Sequence, residues 1–246
     1  MKLVTPIVTS PDPELKQEGM DLMAQMTYNN DLELFDMMRE KLYSAVLSDA
    51  LDQVGLRRQA MRANIRPVWP GAVVVGRAVT ALSVDVYEIV DNPYEKEIEV
   101  IDSLKPESVL VAGTGQSTQT CFWGELLSTA ARARGAQGAV IDGYTRDVAM
   151  IAKMQFPVFA TGMKPVDSNG RGIVMDYNCP VSCGDVVVNA GDIIFGDIDG
   201  IVAIPFDAEQ EVIAKAIDKV EGENQTREEL EKGGYLRDVY EKYGIL

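Results

Sequence analysis

The chain has 246 residues, 46% of them hydrophobic and 25% charged, which fits one α/β domain with a sizeable core and excludes the disordered and fibrous classes. Lys and Arg number 23 against 38 Asp and Glu, a formal charge of -15. That field argues against nucleic acid as a direct partner, and a small anionic substrate would need a local positive focus, such as a metal ion or an inward arginine. Histidine is absent, which removes Ser-His-Asp and Cys-His catalysis, HExxH zinc sites and imidazole bases together. Cys121, Cys179 and Cys183 show no CxxC spacing, so a reducing compartment is expected. The opening MKLVTPIVTSPDPEL is broken by prolines and does not read as a signal peptide. No run approaches the roughly 20 apolar residues that span a bilayer. A cytoplasmic address with no membrane partner is therefore expected.

Residues 11–60 read as helical in pieces. From Leu32 to Gly55, Leu34, Met37, Met38, Leu42, Val46, Leu47, Leu51 and Val54 recur at broadly helical spacing, with Ser44 and Ser48 as candidate caps and Gly55 as the stop. Strands are expected within 69–86 and over 108–115, the latter ending in a glycine loop. WGELLSTAARAR (123–134) predicts a helix closed by Gly135. Strand 138–143, helix 147–154 and strand 157–162 follow. This alternation argues for an α/β layer. Over 180–205, β segments broken by Gly184, Gly191, Gly196 and Gly200 leave no room for helices and predict a tightly turned antiparallel region. From Asp207 to Tyr243 the pattern is helical and charged, with VEGENQTREELEKGG as a mobile or interface-covering element.

Chemistry concentrates in GELL (124–127) and DGYTRD (142–147). The first places Glu125 at a helix start, where the N-H groups of Leu126 and Leu127 are unused and suit a carboxylate or phosphate. The second presents Arg146 and Asp147 at the carboxyl end of a buried strand, the usual ligand position in α/β sheets. Arginine offers a planar fork to a 2-oxo acid, aspartate a hard ligand for Mg2+ or Mn2+, and Glu125 a second carboxylate to position or deprotonate water. From spacing alone a blander reading stands beside this one. Arg146 and Asp147 could cap the following helix and form a surface ion pair, with Glu125 an ordinary first-turn acid. Phe122 and Trp123 either line such a site or pack beneath it. Cys179 and Cys183 lack two further ligands and read as structural thiols. GDIIFGDIDG fits turns better than a calcium loop, and GTGQST lacks the ending of a P-loop.

WGELLSTAARARGAQGAVIDGYTRDVAMI, FPVFATG and GDIIFGDIDGIVAIP, with SDALDQVG, IRPVWPG and the terminal YEKYGIL, resemble the family of 4-hydroxy-4-methyl-2-oxoglutarate aldolases and the related RraA-like regulators of ribonuclease E activity. The resemblance covers 40–246 and leaves 1–39 as an N-terminal helical extension. It implies a compact layered α/β/β, swivelling-domain-like fold with mixed β-sheets, assembled as a homotrimer or hexamer. It implies cleavage of a 4-hydroxy-2-oxo acid with pyruvate as product, or decarboxylation of oxaloacetate, with Mg2+ or Mn2+ held by Asp147. Gly124, Leu126 and Leu127 would bind the pyruvate carboxylate, Arg146 would contact substrate and stabilise the enolate, and Glu125 would act in proton transfer. The loop Gly113 to Gln116 would border the pocket, and Glu221 or Glu223 would be the carboxylate offered by a neighbouring subunit. The sequence departs from the family in having Glu125 for the commoner aspartate and Met150 where many members carry an acid. Family members that bind proteins without catalysis supply the alternative reading, a regulator.

Overall fold

The structure is a computed structural model that describes residues 30–245; residues 1–29 of the expected extension lie outside the described residues. Helix α1 (Asp31–Lys41) starts at Asn30, whose side chain accepts from the Glu33 amide, and α2 (Ser44–Gln53) follows after an extended break at Leu42 and Tyr43. The apolar pattern from Leu32 to Gly55 is thus two helices. The expected serine caps do not form. The Ser44 amide and hydroxyl bond Asp197 instead, at 2.8 and 2.6 Å, and Ser48 lies inside α2. Gly55 does end the helix, at a φ of 85° that only glycine adopts cheaply.

The remaining elements are β1 (Arg66–Pro67), β2 (Val74–Asp85), α3 (Glu95–Ser103), β3 (Ser108–Gly113), β4 (Cys121–Trp123), α4 (Glu125–Ala133), β5 (Gly138–Thr145), α5 (Val148–Met154), β6 (Val158–Met163), β7 (Gly172–Tyr177), β8 (Val181–Cys183), β9 (Val186–Val188), β10 (Ile193–Gly196), β11 (Ile201–Ile204), a 3-10 turn (Phe206–Ala208), α6 (Glu209–Glu231) and α7 (Leu236–Tyr243). Nine strands form one mixed sheet in the order β1-β6-β5-β3-β2-β10-β11, with β4 on β5 and β7 on β2. Strands β2, β3, β5 and β6 run parallel, as the strand-helix alternation predicts. Strands β1, β7, β10 and β11 pair antiparallel, and β8-β9 makes a separate hairpin. Four elements escape the sequence reading: β1, α3, β4 and β7.

Period-two burial decides the layers. Leu110, Ala112, Ala139, Ile141, Val158 and Ala160 face α3, α4 and α5, which contribute Val100, Ile101, Ala131 and Ile151. The alternate residues Val109, Val111, Val140 and Phe159 face Val181, Cys183, Val186 and Val188 of the hairpin, with Met61 and Ile65. Helices, main sheet and hairpin therefore stack as α/β/β. A third cluster joins Leu34, Phe35 and Met38 of α1 with α2, α6, Val75, Phe195 and Ile204, so the described part of the expected extension is built into the core. The charged 220–234 segment belongs largely to α6, and the chain turns at Gly233 and Gly234 so that α7 packs back through buried Val239. Among the described residues no helix is long and apolar enough to cross a membrane.

Candidate active site at the carboxyl end of the sheet

Short strand β4 runs parallel to β5 with Trp123 opposite Thr145. The Trp123 carbonyl accepts from the Arg146 amide and the Thr145 hydroxyl, both at 3.0 Å, so Gly124 and Arg146 leave the sheet side by side. Trp123 and Phe122 are buried, and Trp123 stacks on Phe156 at 6.4 Å. They pack beneath the site. Trp123 belongs to β4, so the helix expected from 123 begins at Glu125.

Gly124 lies directly under the Asp147 and Arg146 side chains. A Cβ there would stand 2.9 Å from Asp147 Oδ2 and 3.3 Å from Arg146 Cγ, closer than ordinary packing allows. Asp147 itself adopts a left-handed φ of 60° and makes no side-chain bond to its own helix α5. The capping role open to it in the sequence is therefore not what its side chain does. Its Oδ2 instead accepts from the Glu125 amide at 3.2 Å. Holding a non-glycine residue left-handed costs on the order of 1 kcal/mol, a strain that clusters at functional sites.

The first intrahelical bond of α4 runs from the Ser128 amide to the Gly124 carbonyl at 3.1 Å. Helix geometry therefore leaves the Glu125, Leu126 and Leu127 amides without intrahelical partners, and Asp147 takes the first. The Glu125 carboxylate accepts from the Thr129 hydroxyl at 2.9 Å. Arg146, 36% exposed, stands 3.6 Å from Asp147 Oδ2 through Nε and 3.1 Å from Asp167 Oδ1 through Nη1.

Sequence reasoning missed the residues behind Arg146. Asp167 arrives on the β6-β7 loop, and its other oxygen accepts from the Tyr94 hydroxyl and the Asn169 amide. Burial pushes the Asp167 carboxyl up, but these hydrogen bonds and the Arg146 charge outweigh it and hold the group below the usual range. Glu97 of α3 is buried at 8% exposure; burial first, then the Asp167 charge, push its carboxyl up to about 7. Asp167 precedes the turn residue Gly170, at a φ of 70°, and that turn is the one signal the sequence offered.

The loop after β3 is tied to the same strand end, where the Thr114 hydroxyl donates to the Asp142 carbonyl. Glu223 is engaged within its own chain by Tyr43, Lys219 and Arg227. All three cysteines are free, and burial pushes the Cys183 thiol well up, as suits a structural thiol. Among the described residues no group of three or more Asp, Glu, Cys or His side chains is arranged to hold a metal ion. A Mg2+-type ion bound through one or two carboxylates, water and substrate needs no such group. Asp147, with Oδ1 not engaged by the Glu125 amide, is the carboxylate that fits that donor set.

Residues 44–203 match the RraA-like family model described as Aldolase/RraA. The chain is 32% identical to DlpA of Legionella pneumophila over 81% of its own length but only 32% of DlpA's, so it spans about a third of that protein. It is 32% identical to a Halalkalibacterium halodurans protein provisionally named a 4-hydroxy-4-methyl-2-oxoglutarate aldolase, over 74% of this chain and 81% of that one. Among solved structures, Streptomyces coelicolor RraAS2, described as an unusual member of the RNase ES inhibitor RraA protein family, superposes with a TM-score of 0.72 at 26% identity, covering 82% of this chain and 99% of that one. Family match and fold agree, and the chain belongs to the RraA-like Aldolase/RraA family.

Proposed function

We propose that the chain is a divalent-metal-dependent class II pyruvate aldolase. It cleaves a 4-hydroxy-2-oxo acid such as 4-hydroxy-4-methyl-2-oxoglutarate or 4-carboxy-4-hydroxy-2-oxoadipate, and decarboxylates oxaloacetate through the same enolate. The observation that carries this reading is the convergence at Gly124, where the Asp147 carboxylate accepts from the Glu125 amide with Arg146 beside it.

In this reading the Leu126 and Leu127 amides, beside Gly124, bind the substrate carboxylate at the positive end of α4. Asp147 holds Mg2+ or Mn2+, which when bound supplies Lewis-acid polarisation of the 2-oxo group. Glu125, steadied by Thr129, holds the water that takes the C4 hydroxyl proton. As the C3-C4 bond breaks, its electron pair moves to the 2-oxo oxygen, C4 becomes a carbonyl, and Arg146 stabilises the enolate oxygen. Protonation at C3 releases pyruvate. Leu126, Met150 and Met163 are exposed, at 76%, 53% and 60%, on the helix starts and strand end of this face. They support assembly as a homotrimer or hexamer, and the reading keeps the cytoplasmic address.

The test is pyruvate release by metal-free protein, with and without Mg2+ or Mn2+, across 4-hydroxy-2-oxo diacids, sugar-derived 2-oxo acids and oxaloacetate. Metal-dependent release that Asp147→Asn abolishes is expected. Full activity in that variant would remove Asp147 from its role. The alternative, a non-catalytic protein-binding regulator of the ribonuclease E type, draws on the likeness to RraAS2, and silence across the panel favours it.

A further inference from the structure

The Arg146 guanidinium is held in an unusual way. Its backbone is fixed by the Trp123 carbonyl, yet among the described residues its side chain donates no hydrogen bond. It is held by charge alone, Nη1 to Asp167 at 3.1 Å and Nε to Asp147 at 3.6 Å. An arginine in a structural role spends its donors in hydrogen bonds; among the described residues this one commits none that way.

What holds the guanidinium is itself held. Asp167 has one oxygen toward Arg146 and the other saturated by the Tyr94 hydroxyl and the Asn169 amide. Tyr94 stands just before α3, and one turn further Glu97 is buried under the same cluster, hydrogen-bonded to Ser168 and close enough to Asp167 for the two charges to interact. The usual carboxylate freedom to rotate is removed from Asp167 by two donors on its far side.

We propose that Asp167 is the positioning residue of Arg146, latched by Tyr94, and that it fixes the plane of the guanidinium so that the unspent donors face the reacting oxygen of the substrate. Asp167 does not touch substrate in this arrangement; it acts through Arg146. The inference rests on the 2-oxo acid reading for its ligand, but the hold on Arg146 is measurable without one. A guanidinium pinned by a carboxylate rotates slowly about its Cζ-N bonds and gives separate Nη signals, whereas an unpinned one averages them.

The experiment combines arginine side-chain 15N NMR, with the Arg146 signals assigned through Arg146→Lys, and calorimetric binding of oxalate, a mimic of the pyruvate enolate, in the presence of Mg2+. Wild type, Asp167→Asn, Asp167→Glu and Tyr94→Phe are compared, with melting temperatures recorded alongside. Asp167→Asn is expected to collapse the Arg146 Nη signals and to weaken oxalate binding by about tenfold, the usual weight of a hydrogen bond to a charged group. Tyr94→Phe, which leaves the carboxylate in place should Asp167→Asn fold poorly, is expected to act in the same direction by about threefold. Asp167→Glu is expected to restore part of both. Unchanged signals and affinity in Asp167→Asn overturn the proposal. So does tighter oxalate binding, because Asp167 would then compete with the anion. Collapse of the signals in Asp167→Asn, in a protein whose wild type binds no oxalate, upholds the positioning role and instead removes the 2-oxo acid reading.

Discussion

Arg77 and Arg146 are each flanked by two acids, and they are held in opposite ways. Arg77 uses all three nitrogens: Nε and Nη2 donate to Asp31 at 3.0 and 2.7 Å, and Nη1 donates to Glu209 and to the Gly191 carbonyl. Its guanidinium also lies within 5.6 Å of the Phe35 ring centroid and 5.5 Å of that of Phe206. Arg77 thereby ties α1 and α6 to β2, and its donors are spent. Among the described residues Arg146 has no ring above it and meets its two acids as ion pairs, with no hydrogen bond donated by its side chain. Counting ion pairs would rank the two alike, whereas counting unspent donors separates a structural arginine from one prepared for a ligand.

Four substitutions sharpen or break this contrast. The largest effect is expected from Arg146→Ala, which should lower pyruvate release by about 10^2- to 10^3-fold, as loss of one donor to a developing oxyanion does elsewhere. Its melting temperature should stay close to that of the wild type; a protein that unfolds instead would make Arg146 structural after all. Arg77→Met should do the reverse. It strands Asp31 and Glu209 and should cost about 3 kcal/mol of stability, at the low end for a broken partly buried pair because Asp31 is 42% exposed. Chemical denaturation measures it, and a loss under about 1 kcal/mol would place Arg77 with ordinary surface pairs.

Glu97 comes next. Its folded value of about 7 lies above the ordinary 4.5, so its contribution to stability is fully present below about pH 4.5 and is lost as pH rises through 7. The difference amounts to roughly 3 kcal/mol as an upper bound. Denaturation midpoints of the wild type should therefore fall between pH 5 and about 8 more steeply than those of Glu97→Gln, and parallel curves would contradict the burial argument. Gly124→Ala is the smallest, at about 1–3 kcal/mol for overpacking. Its sharper signature should be weakened Mg2+ dependence, because the added methyl meets Asp147 and Arg146 before anything else.

What the sequence revealed follows from how local each signal was. Strand β3 and the first halves of β5 and β6 are buried on both faces and carry short apolar runs, so their place in the sheet is legible. Gly124, Glu125, Arg146 and Asp147 are separated by a single helix and strand, and the parallel pairing of β4 and β5 brings their ends together without any distant contact. Asp167, Tyr94 and Glu97 converge only through α3 and the β6-β7 loop. Glu97 sits among the acids of EKEIEVIDS, where composition reads as a solvated face. Strand β7 offers only the three-residue apolar run Ile173 to Met175, and it pairs with the far end of β2 across a register shift. Ser44 misled because a serine before an apolar stretch normally caps, whereas here Asp197, from far along the chain, already occupies it.

Strand β2 also governs when this protein can fold. Its twelve residues bond β3 and β10 along one half and β3 and β7 along the other, all of them later in the chain, and the β10 pairing closes only once residue 196 is available. A nascent chain leaving the ribosome must therefore hold part of an apolar edge unpaired from the completion of β2 until residue 196 has emerged. Chaperone engagement during translation is expected to persist until β10 emerges and then to fall abruptly.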